Sequence, residues 1–80
     1  MKGYVYMINY KENKDDFLGD QIECSDKKDL LTQIKLIANG TMDIYVEEIK
    51  FVNDKDRWLE KEISDSLYNE CKRLLKNKIK

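Results

Sequence analysis

An α+β fold with the order β-β-α-β-α is what the sequence predicts: a three-stranded sheet of order 2-1-3 packed with two helices, the C-terminal one long. Two strand-like runs rich in aromatic and β-branched residues, at 4–10 and 42–52, lead to this class. So do two segments, 26–38 and 55–79, whose apolar residues recur at helical spacing. The third observation is size. Eighty residues with three Gly and no Pro, 41% apolar and 39% charged, make a single domain over 1–80, without linker, repeat or low-complexity segment.

Residues 4–10 open the chain as a strand with Tyr4, Tyr6, Ile8 and Tyr10 on one face and Val5, Met7 and Asn9 on the other. Neither face is plainly polar, so the strand is expected in the middle of the sheet or covered on both sides. Polar residues 11–16 form a hairpin loop, and residues 17–24 return antiparallel with Leu18, Ile22 and Cys24 on one side. Ser25 or Asp26 caps the first helix, with Asp29 placed to favour the positive end of the helix dipole. Leu30, Leu31, Ile34, Ile37 and Ala38 fall within about 120° of its circumference at 3.6 residues per turn. Asn39-Gly40 supplies the left-handed stop. Leu36 lies off that stripe, either exposed or against a partner.

In the third strand, residues 42–52, the alternation changes parity: Ile44 and Val46 share one face, Ile49 and Phe51 the other. A bulge at Glu47-Glu48 restores a single apolar face; the alternative is a strand buried on different faces at its two ends. Asn53, Asp54, Lys55 and Asp56 offer caps for a final helix carrying Leu59, Ile63, Leu67, Cys71, Leu74 and Leu75 as a drifting stripe. From Lys55 to Ile79 it spans about 37 Å at 1.5 Å per residue and overhangs the sheet. A right-handed crossover then sets the third strand parallel to the second, on the far side of the first. One core of Val5, Met7, Ile22, Leu30, Leu31, Ile34, Ile37, Ile63 and Leu67 is expected.

The chemistry the sequence excludes is broad. A chain of this size has little room for a water-excluding catalytic cavity. With no His it also lacks the commonest general base and metal ligand. There is no Cys-x-x-Cys, no Gly-rich phosphate loop and no EF-hand order of acids, so neither metal nor cofactor is expected, nor an enzyme. Cys24 and Cys71 read as free core thiols. No apolar run is long enough for a signal peptide or a membrane span, so a cytoplasmic protein is expected. The sequon Asn39-Gly40-Thr41 then has no bearing. Lys, Asn and Ile are abundant and Ala occurs once, a usage typical of AT-rich bacterial or phage genomes.

Net charge is −1, but residues 1–71 hold ten basic and sixteen acidic residues, whereas 72–80 hold Lys72, Arg73, Lys76, Lys78 and Lys80 and no acid. An acidic body therefore carries a basic end. That end either compensates a helix dipole or contacts phosphates or an acidic partner. Tyr4, Tyr6 and Tyr10 are core if a helix covers their face, and an aromatic platform if both helices pack on the Val5/Met7 side. Asp15, Asp16, Asp20 and Glu23 form an acidic surface near the hairpin. Trp58 is the only Trp, expected at the margin of the core or, beside Arg57, as a binding hot spot.

The function expected is therefore a small acidic protein-binding module, an inhibitor or regulator that blocks a partner's surface, by analogy with phage proteins directed against host defence proteins. Candidate contacts are Tyr4, Tyr6, Tyr10, Asp15, Asp16, Asp20, Leu36, Arg57 and Trp58. The alternatives are a nucleic-acid-binding accessory protein using Lys72, Arg73, Lys76, Lys78 and Lys80, and a homo-oligomeric structural protein.

Overall fold

A computed structural model describes residues 3–12, 19–40 and 44–79. Strand β1, Tyr4–Lys11, pairs antiparallel with β2, Asp20–Cys24, with Tyr10 opposite Asp20 and Met7 opposite Glu23. Strand β3, Tyr45–Asn53, pairs antiparallel with the other edge of β1 and so runs in the direction of β2. A two-residue strand β4, Glu60–Lys61, adds antiparallel to β3. The sheet order is β2-β1-β3-β4, which keeps the expected 2-1-3 and extends it by one strand. Phe17, Leu18 and Met42, expected in strands, lie outside the described residues.

Helix α1, Lys27–Ala38, begins where the side chain of Asp26 accepts the Asp29 N–H at 2.8 Å. Asp29 in turn accepts the Ser25 N–H through its carboxylate at 3.0 Å, closing a reciprocal cap. Gly40, at φ +80°, stops the helix with its N–H on the Ile37 carbonyl. Gly19 has a different reason to be glycine. A Cβ there would lie 2.7 Å from the Tyr10 carbonyl oxygen, so the hairpin can close this tightly only without a side chain.

In β3 the pairing steps from Glu48 opposite Asn9 to Val46 opposite Tyr10, leaving Glu47 as the extra residue of a bulge. The bulge lets Val46 and Ile49, three residues apart, both enter the core beneath the helices, where Ile44 also packs.

The last helix departs from expectation. Helix α2 is Asp65–Leu75, capped by Ser64, whose hydroxyl accepts the Leu67 N–H at 3.3 Å, and it runs into a 3₁₀ turn at Lys76–Lys78. Eleven α-helical residues replace the long overhanging helix because Asn53 and Asp56 cap a turn, not a helix, and the chain returns as β4. Leu59 is accordingly exposed, and Ile63 reaches the core from the segment before α2. Among the described residues, no helix is long and apolar enough to cross a membrane.

Both helices pack on the face of β1 that carries Tyr6 and Ile8. Ile8, Cys24, Leu30, Ile34, Ile37, Val46, Ile49, Leu67, Cys71 and Leu75 form the main core there. Val5 and Met7 point the other way by strand alternation and join Val52 in a separate small cluster. The single expected core is thus divided by the sheet, with Val5 and Met7 on the side opposite α1 and α2.

Candidate functional site

The turn joining β3 to β4 is held by its own polar side chains. Asn53 Oδ1 accepts the N–H groups of Lys55 and Asp56, each at 2.9 Å, and Asp56 Oδ1 accepts that of Trp58 at 3.1 Å. The Leu59 N–H donates to the Asp56 carbonyl at 3.0 Å, the Asn53 N–H to the Leu59 carbonyl at 2.8 Å, and the Asp54 N–H to Gly3 at 2.9 Å. A backbone so fully bonded retains little freedom to lose on binding.

Arg57 clamps this turn across the face of the sheet opposite α1 and α2. One guanidinium nitrogen lies 3.1 Å from Met7 Sδ and another 2.6 Å from Glu23 Oε1, reaching from the β3–β4 side over β1 to β2. The guanidinium thus lies against Met7 of the Val5, Met7 and Val52 cluster while its charge is matched by Glu23. With Arg57 turned onto the sheet, the adjacent Trp58 projects outward at 92% exposure, and Leu59 beside it is 53% exposed. Sequence reading finds Trp58 and Arg57 but misses Leu59, whose i, i+4 relation to Ile63 imitates a helical stripe.

The other expected contacts are dispersed. Tyr6 stacks on Phe51 with ring centroids 4.4 Å apart, Tyr4 lies against the same ring at 5.4 Å, and Lys61 covers Tyr4. These tyrosines are half-buried on the helix side, so the open aromatic platform does not form; Tyr10 is half-buried as well. Burial raises the Tyr6 hydroxyl above its ordinary pKa of 10.0. Asp20 is exposed, its carboxylate accepting the Gln21 N–H at 2.8 Å, and Asp15 and Asp16 lie outside the described residues. Leu36 is exposed on the outer side of α1, separated from Arg57 by the sheet.

The basic residues gather at the C-terminal ends of both helices. Arg73, Lys76 and Lys78 share a groove with Lys35 of α1, a residue sequence reading misses. Lys78 Nζ donates to the Ile37 carbonyl at 3.0 Å, covering the end of α1, whereas Lys72 lies over the Tyr68 ring. Lys80 lies outside the described residues. Cys24 and Cys71 are fully buried free thiols. Desolvation first, then nearby carboxylates, pushes them up to about 12 and about 11, so both stay protonated and poorly nucleophilic. Among the described residues, no group of Cys, Asp and Glu is arranged to hold a metal ion.

No family model, no curated protein and no solved structure matches this chain.

Proposed function

We infer that this protein is a binding module for another protein and that the Trp58–Leu59 turn is its principal contact. The observation that carries this reading is an indole at 92% exposure on a turn fixed by its own hydrogen bonds and by Arg57. Leaving a large aromatic in water forgoes roughly 1.5 to 3 kcal/mol of burial. A rigid display also removes much of the ordering cost that a flexible loop meets on association. Tryptophan in such a setting is the residue type most enriched at binding hot spots.

Charge defines the surface this turn fits. Asp54, Asp56 and Glu62 flank the exposed pair and have no ion-pair partner among the described residues. An apolar cleft rimmed by Lys or Arg would accept the indole and match these carboxylates. Occupying such a basic surface makes the module an inhibitor or regulator of what the partner binds there, including nucleic acid, the role phage anti-defence proteins fill by blocking host proteins.

Capture by the immobilised protein from a bacterial extract tests the reading, with Trp58→Ala as control. A protein retained at physiological salt by the parent chain and lost with Trp58→Ala supports it. Equal retention by both chains refutes the assignment of the turn. Sedimentation that shows self-association abolished by the same substitution replaces it with the homo-oligomeric alternative.

A further inference from the structure

We propose that the groove between the C-terminal ends of α1 and α2 is a binding site for a compact polyphosphate group. Lys35, Arg73, Lys76 and Lys78 line it with Asn39 and Asn77, around a volume of about 680 Å³, and among the described residues no acidic side chain lines it. Two helices contribute the wall, so residues distant in sequence are brought to one place.

Helix dipoles explain only part of this charge. Each C-terminal end carries roughly −0.5 of an elementary charge, so two ends offset about one of the four cations. Lys78 answers that demand directly, through its hydrogen bond to the Ile37 carbonyl. Lys35, Arg73 and Lys76 remain, with no ion-pair partner among the described residues. Their mutual repulsion is relieved by a ligand that concentrates several negative charges in a small volume.

Backbone conformation adds a second observation. Lys76 adopts φ 56° and ψ −106°, a region that side chains disfavour and glycine tolerates. A cation thus lines the groove at a position where the chain geometry alone favours glycine.

Phosphate fits this set better than carboxylate. The Arg73 fork matches two phosphate oxygens, lysines supply point charges, and the amides of Asn39 and Asn77 are further donors. The acidic body, net −6 over residues 1–71, disfavours a long polyanion lying across the molecule, so the ligand is compact. Two sources share this chemistry: a free nucleoside triphosphate and the 5′-triphosphorylated end of a nucleic-acid strand.

The test is calorimetric titration of the intact chain with tripolyphosphate at low salt, alongside Lys76→Gly, Arg73→Gln and Lys35→Gln. Saturable binding at one site is expected, weakened about 3- to 5-fold by each substitution. Lys76→Gly removes the charge without burdening the fold, so its melting temperature should be unchanged or raised while affinity falls. Further arms use a nucleoside triphosphate and short single strands with and without a 5′-triphosphate. Either a nucleoside triphosphate or a strand that binds only when triphosphorylated upholds the site and names its source. Absence of saturable binding, affinity indifferent to all three substitutions, or equal competition by a glutamate-rich peptide overturns it.

Discussion

Replacing Trp58 by alanine should leave the fold almost untouched. The indole is 92% exposed, so less than a tenth of its surface is covered in the folded chain. A Trp side chain offers up to about 250 Å², and the covered part is therefore about 20 Å². At about 25 cal/mol per Å² this amounts to about 0.5 kcal/mol, against roughly 3 to 5 kcal/mol for a core Trp. The Trp58 N–H keeps its bond to Asp56, because that contact belongs to the backbone. Urea unfolding followed by far-ultraviolet circular dichroism measures the difference without relying on the deleted fluorophore. A loss above about 1.5 kcal/mol would show that the indole packs against the body, and the hot-spot assignment would fall with it.

Two further perturbations probe the layers beneath the turn. Ile34→Ala, at a fully buried position, should cost about 2 to 5 kcal/mol, whereas Leu36→Ala, two residues along α1 and 38% exposed, should stay within about 0.5 kcal/mol; urea midpoints of the two variants check the pair. The buried thiols give a pH dependence with a defined sign: folded values of about 12 and about 11 lie above the ordinary 9.0, so stability is fully present below about pH 9 and is lost as pH rises toward 11 and 12. Each thiol contributes a slope of at most about 1.4 kcal/mol per pH unit, and unfolding of the Cys24→Ala, Cys71→Ala double variant should show a shallower alkaline decline.

The elements most legible in the sequence are those whose local chemistry has one solution. Asp26, Asp29 and the Asn39-Gly40 stop bound α1 by signals that mean little outside a helix. The parity change between Val46 and Ile49 requires a bulge once both residues face one core, and Glu47 supplies it. Asn53 and Asp56 are ambiguous, because an Asx side chain satisfies the N–H groups of a turn as well as those of a first helical turn. The Ser64 cap, with Leu67 as its acceptor's partner, lies eight residues after Asp56 and marks the true start of α2. Which side of β1 receives the helices is not encoded locally either, since Tyr6 and Ile8 on one face and Val5 and Met7 on the other are equally buriable. For that reason the tyrosine row reads as a platform or as core until the packing is known. The Trp58 display depends on Arg57 reaching Glu23, a contact between residues 34 apart in sequence that no local pattern announces.

Because Trp58 is the only tryptophan, its emission reports directly on the surface proposed to meet a partner. The decisive measurement is acrylamide quenching and emission maximum of Trp58 in the free protein and after addition of a captured partner that lacks tryptophan or carries a spectrally distinct analogue. Strong quenching and a water-like emission are expected when free, then a blue shift with protection from quencher on binding. A bound complex in which Trp58 emission and quenching stay as in the free protein would remove Trp58 from the interface.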